Sequence, residues 1–161
     1  MALPRAALWL ALIVPSVLLG GALISQYTFG LYPCEMCMWQ RWPHLAAIVL
    51  ALGAIAMRNQ KLSKFLVLDA VLAILISGLI GGFHAGVEYG WWEGLTACAT
   101  TVSAGGDILD SIMNAPLVRC DVAPWSLFGI SLAGFNFLLS IGGAMLILGM
   151  MAKGRKDGRI G

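Results

Sequence analysis

Charge is scarce in this chain. Its 161 residues include 10 Lys and Arg and 8 Asp and Glu, 11% charged in all, against 60% hydrophobic. Soluble domains carry about 25% charged residues, so a fold wetted over most of its surface is excluded. The net charge of +2 is too small to point to nucleic acid as a partner. Internal repeats and low-complexity tracts are also missing, which excludes a solenoid or a tethering linker. Cysteine is sparse: four residues, with a single Cys-x-x-Cys pair.

Apolar sequence is abundant, and a mean hydropathy of +0.87 is that of an integral membrane protein. Crossing a hydrocarbon core of roughly 30 Å takes about 20 apolar residues as helix. Four runs reach that length: about residues 6–29, 37–57, 65–89 and 125–151. The expected fold is therefore all-α, one four-transmembrane-helix bundle over residues 1–161. The first run is read as a span and not as a cleaved leader, because it is long and lacks a clear small-x-small site. Pro15 and Pro43 fall inside helices and should bend them. Residues 30–36 and the seven residues from Arg58 to Lys64 are short connections, so the helices they join run antiparallel.

The basic residues orient the chain. Arg5, Arg58, Lys61, Lys64, Lys153, Arg155, Lys156 and Arg159 are eight of the ten cations, and all fall on one side. By the positive-inside rule that side is cytoplasmic, with both termini. All four cysteines fall on the opposite side. The one long connection, residues 90–124, lies there too. Within it, Ile108, Leu109, Ile112 and Met113 share one helical face opposite Asp107, Asp110, Ser111 and Asn114, as in a short amphipathic helix on the membrane surface. Trp91, Trp92 and Trp125 resemble interfacial anchors.

An even number of cysteines facing an oxidising compartment implies disulfide chemistry. A bridge between Cys34 and Cys37 would close too small a loop to be a useful staple. Cys37 opens the second span, where the unpaired N–H groups of a helix start favour a thiolate, and Arg41 is one turn deeper on the same face. Cys37 should be reactive. His44, seven residues beyond Cys37, shares that face; an ordinary interior histidine is the plainer alternative. His84 and Glu88 are one turn apart at the outer end of the third span, either an interfacial pair or a pocket lining. Asn136 reads as interhelical glue. Gly78, Gly82 and Gly86 recur every fourth residue, a packing device that lets another helix approach. Cys98 and Cys120 are separated by 21 residues, and a structural bridge between them would be worth a few kcal/mol.

With "PCEMCMWQRWPH", "HAGVEYGWWEG" and "RCDVAPWSLFGISLAGFN" in this order across four spans, the chain closely resembles the disulfide bond formation protein B family over its full length. The resemblance implies a bacterial inner-membrane oxidase that reoxidises a periplasmic thiol oxidase of thioredoxin fold and passes electrons to quinone, ubiquinone or menaquinone. It further implies a Cys98–Cys120 disulfide attacked at Cys98 to give a mixed disulfide, exchange of Cys120 with Cys34 of a Cys34–Cys37 disulfide, and Cys37 with Arg41 facing quinone. His44, His84 and Glu88 are candidate members of the quinone site. The family often has glutamate before the arginine, where this chain has Gln40.

Two other readings stand beside it. Vitamin K epoxide reductase relatives also combine four helices with a Cys-x-x-Cys pair, but there the pair follows the loop cysteines, and here it precedes them. From a different class, four cysteines can hold zinc. The wide spacing of the second pair and an oxidising face weigh against that, so no metal ligand is assigned.

Overall fold

The computed structural model describes residues 3–57, 59–95, 99–100 and 117–157. Four long helices carry the fold: α1 Arg5–Phe29, α2 Glu35–Ala56, α3 Gln60–Glu88 and α4 Leu132–Asp157. Around the bundle α1 packs on α2, α2 on α3, α3 on α4 and α4 back on α1, with α1 and α3 on the diagonal. Among the described residues three helices, α1, α3 and Leu132–Gly154 of α4, are long and apolar enough to cross a membrane. In α2 the residues Gln40, Arg41 and His44 interrupt the outer half and shorten its apolar run.

Local signals set the helix ends. Gly30 takes a left-handed φ of 67°, and Leu31 N–H closes onto Ser25 C=O at 3.1 Å, ending α1. Cys34 caps α2, its sulfur accepting from Cys37 N–H. Asn59 caps α3 by accepting from Lys61 N–H at 3.0 Å and Leu62 N–H at 3.3 Å. That cap starts α3 at Gln60, earlier than the apolar run suggests, so the turn from α2 spans only residues 57–59. Both internal prolines are accommodated within continuous helices.

Two departures from the expected all-α fold lie at the outer end. Ser126–Leu127 (β3) pairs antiparallel with Ile130–Ser131 (β4) around Phe128 and Gly129, both at positive φ. This hairpin takes up the residues expected to begin the fourth span, and α4 starts at Leu132 instead of Trp125. Ser131 caps α4 through Gly134 N–H at 3.1 Å. Ala99–Thr100 (β1) pairs with Leu117–Val118 (β2) across the long connection. The amphipathic helix expected around Ile108 to Met113 lies outside the described residues, as do Cys98 and Arg58.

The core is built from small side chains. Ala7 and Ala11 of α1, Ala47, Ala51 and Ala54 of α2, Ala70 of α3 and Ala144 of α4 are buried beside Val67, Val71, Ile74 and Ile147. Large apolar residues such as Trp9, Leu72 and Leu146 face outward. That distribution suits a lipid surround, where close backbone approach drives packing. On α2 the buried stripe Met36, Gln40, His44, Ala47, Ala51, Ala54 turns from polar to apolar along its length.

Of the three regularly spaced glycines, two face α4. A Cβ at Gly78 would meet Ser140 Cβ at 2.9 Å, and one at Gly82 would meet the Phe137 ring at 2.8 Å; Gly86 lies under the Trp92 indole. Gly142 has open space around it. Gly78→Ala is therefore expected to lower stability by about 1–3 kcal/mol through overpacking, while Gly142→Ala leaves it unchanged or slightly raised. Thermal unfolding of the two variants in the same detergent checks this, and equal effects would refute the α3–α4 seam.

Candidate functional site

The polar half of the α2 stripe opens into a hydrogen-bonded chain that crosses the bundle. Gln40 sits at its centre. Its amide donates to Met36 C=O at 3.1 Å and to His84 Nδ1 at 2.9 Å, and its Oε1 accepts from Asn136 Nδ2 at 2.8 Å. Asn136 also donates to Ser77 C=O at 3.1 Å, while its Oδ1 faces His44 Nε2 at 2.8 Å and accepts from Ser140 at 3.0 Å. Asn136 approaches this closely because residue 81 is glycine: a Cβ there would lie 2.9 Å from Asn136 Nδ2. Main-chain carbonyls only accept, so Met36 and Ser77 fix which end of each amide is NH₂. It follows that His84 Nδ1 is an acceptor and His84 carries its proton on Nε2, toward the Cys34 sulfur at 3.6 Å.

The thiols lie at the outer end of this chain. Cys34 and Cys37 are free thiols with sulfurs 3.0 Å apart, Cys34 donating to Cys37, and Cys37 N–H donates to Cys34 at 3.3 Å. Donation to Cys37 together with burial pushes the Cys34 thiol up to about 12. Cys120 is buried against the same place, packed with Cys34, Met36 and Val87. The Cys34 and Cys120 sulfurs and an imidazole nitrogen of His84 all lie within 4.8 Å of one another.

Two cavities meet at Cys37. One, of about 300 Å³, is lined by Cys34, Cys37, His84, Val118, Arg119 and Pro124 on the outer side. The other, of about 290 Å³, opens between α1, α2 and α4 and includes Cys37, Arg41, His44, Glu88 and Asn136 in a mostly aliphatic lining. Arg41 reaches α1 there, donating to Gln26 Oε1 and to Ala22 C=O at 3.2 Å. Glu88 is held by the Ser131 hydroxyl, with His84 Nε2 at 3.8 Å from its other oxygen. Beside Cys120, the exposed Arg119 guanidinium pairs with Asp121 and holds its carboxyl below the usual carboxylate range.

A profile of the family described as disulfide bond formation protein DsbB matches residues 4–150. The chain belongs to the DsbB family. Disulfide bond formation protein B of Verminephrobacter eiseniae is 31% identical over 169 residues, covering 97% of this chain and 90% of that one. The protein of the same description from Chromohalobacter salexigens is 33% identical over 139 residues, with 85% and 73% covered. An uncharacterised protein of Rickettsia prowazekii is 28% identical over 138 residues, with 82% and 79% covered. No solved structure matches the chain. As a DsbB-family protein it is a membrane protein of disulfide bond formation, with disulfide oxidoreductase chemistry.

Set against this DsbB-family site, the residues singled out from sequence divide in two. Cys37, Arg41, His44 and Glu88 share the inner cavity, as the spacing from residue 37 to residue 44 suggests. His84 lines the outer cavity with Cys34 instead. Sequence reasoning passed over Gln26, Ser77 and Ser131, and read Asn136 only as glue. Small polar residues in apolar runs were the available signal, since a buried polar group must find a partner.

The raised Cys34 value has two consequences. In the reduced protein at mildly alkaline pH, iodoacetamide is expected to modify Cys37 and leave Cys34 intact, and peptide masses showing Cys34 modified first would contradict the geometry. The protonated Cys34 adds its stability in full below the ordinary thiol value of 9.0, and that contribution fades as pH climbs through about 12. A Cys34→Ser variant should lack this alkaline component of unfolding.

Proposed function

We propose that this protein oxidises a periplasmic dithiol protein and passes the electrons to membrane quinone. The observation that carries the reading is the position of Cys37 on the wall between the two cavities: Cys34, near Cys120, is on one side, and Arg41 is on the other. In this reading α2 is the fourth span, both termini are cytoplasmic and the cysteines are periplasmic, in the bacterial inner membrane.

The sequence of bond changes is the one that the family resemblance implies. A thiolate of the reduced thioredoxin-fold partner attacks Cys98 of a Cys98–Cys120 disulfide, forming a mixed disulfide and freeing Cys120. The partner's second thiol resolves that bond and leaves oxidised. Cys120 attacks Cys34 of the Cys34–Cys37 disulfide, Cys37 leaves as thiolate, and Cys98 then attacks Cys120 to release Cys34. Two facts support attack at Cys34: the Cys120 sulfur is within 4.8 Å of it, and His84 Nε2–H is aimed at the Cys34 sulfur, where it can stabilise negative charge as Cys34 is released. The β1–β2 ladder joins the residue after Cys98 to the residue two before Cys120.

The inner cavity suits a quinone ring. Its aliphatic walls from α1 and α4 match an apolar ring and tail, and Arg41, tethered to α1, presents guanidinium donors beside Cys37. A quinone, ubiquinone or menaquinone, supplies two-electron acceptor chemistry there. Cys37 would face it and Arg41 would donate to an oxygen, and the Cys34–Cys37 dithiol would return to disulfide by giving it two electrons and two protons.

A partner whose second, resolving thiol is replaced by serine should accumulate a mixed disulfide with this protein through Cys98, and trapping through another cysteine would overturn the order. Arg41→Met is expected to slow quinone reduction by about 10- to 100-fold, the worth of a charged hydrogen bond, as followed by quinone absorbance. Loss of partner oxidation with unchanged quinone reduction would contradict the role given to Arg41.

A second reading draws on the cluster of Cys34, Cys120 and His84, a donor set that zinc accepts. It differs from the four-cysteine site that sequence suggested. It predicts one zinc per reduced chain, lost in His84→Ala; reduced protein that gives up its zinc in gel filtration would rule it out.

A further inference from the structure

One atom of a residue that lines the inner cavity has no role in the scheme above. Among the described residues, His44 Nδ1 is the buried side-chain nitrogen or oxygen without a hydrogen-bond partner. His44 itself is 3% exposed and lines the same cavity as Cys37 and Arg41.

The polarity of that atom is set from a distance. Ser77 C=O accepts from Asn136 Nδ2, so Asn136 Oδ1 is the atom facing His44, and His44 Nε2 must donate to it. With the proton on Nε2, Nδ1 of the neutral ring is a bare lone pair. No neighbouring group donates to it. The Gln40 amide is consumed by Met36 and His84. Glu88 carries acceptors, one held by Ser131 and one turned to His84. Arg41 is spent in part on Gln26 and Ala22.

Resting on the quinone reading, we propose that His44 Nδ1 is the acceptor for a ring hydroxyl, so that this cavity distinguishes quinol from quinone. Both oxygens of a quinone are acceptors only, and against a lone pair they leave two buried acceptors unmet. The same oxygen as a hydroxyl donates and satisfies both. Arg41 has only donors and serves a carbonyl or a phenol oxygen alike, so it cannot make this distinction. Electrons and protons balance without His44: the Cys34–Cys37 dithiol loses two of each, the two carbonyl oxygens gain them as hydroxyls, and His44 keeps no proton. A buried acceptor left unmet costs about 1–3 kcal/mol, so quinol should be favoured about tenfold at this contact. For a two-electron couple a factor of ten raises the potential of the bound ring by about 30 mV, in the direction that draws electrons from the thiols.

The test uses the full chain in nanodiscs, with Cys34→Ser and Cys37→Ser so that no electrons move, and a short-chain benzoquinone and its quinol under anaerobic conditions. Adding His44→Leu should lower the preference for quinol over quinone about tenfold. An equal change for both rings, or no change for either, overturns the proposal. Because His44→Leu also removes the Asn136 contact, a second measurement leaves His44 in place. The chain has two histidines, and ¹⁵N spectra of labelled protein should show the His44 Nδ1 signal move with quinol and stay with quinone; movement with both, or with neither, is the opposing result. If the unsubstituted background binds neither ring, the quinone reading itself fails and takes this inference with it. Binding of both without a His44-dependent difference removes this inference alone.

Discussion

Polar side chains inside an apolar bundle have only one another for partners, and the outer half of this protein is organised by that constraint. Asn136 meets it with every atom it has. Through Gln40, Ser77, His44 and Ser140 it ties α2, α3 and α4 together at one level. Each such bond contributes modestly, about 0.6 kcal/mol on average between membrane helices. Removing a partner costs more, because it strands a buried group. The network therefore specifies one arrangement of three helices more than it strengthens the bundle.

From that arrangement the two thiols acquire different surroundings. Cys34 is the cap of α2, buried, and shares its sulfur with the Cys37 N–H, the Cys37 thiol and His84. Cys37 is only three residues on, yet it looks into a second cavity where α1 and α4 supply the aliphatic wall. Helix α1 reaches the polar level through Arg41, which grips Gln26 and Ala22. One side of the site thus holds Cys34 with His84 and the other is a mostly aliphatic chamber with Arg41 and His44, and Cys37 is common to both.

Much of this architecture is legible in the one-dimensional pattern. Long apolar runs specify helices of spanning length whatever their neighbours. The spacing of Cys37, Arg41 and His44 places them on one face because a helix repeats every 3.6 residues. What misled was local. "SLFGIS" reads as apolar sequence and hence as the start of a span, but Phe128 and Gly129 turn it into a hairpin held by Tyr89, whose hydroxyl donates to Gly129 C=O and accepts from Ser131 N–H. The hydroxyl that decides this comes from a residue some forty positions away.

Hydropathy and helical period alone are enough to read the membrane class of the chain, its long helices and the face on which Cys37, Arg41 and His44 stand. The folded chain adds that His84 belongs with Cys34 and Cys120, that Gly81 makes room for Asn136, and that His44 Nδ1, on a residue lining the cavity, is left without a partner. Those properties depend on which donor meets which acceptor across helices, and a hydrogen bond's direction is settled by the whole chain of partners up to a carbonyl that can only accept.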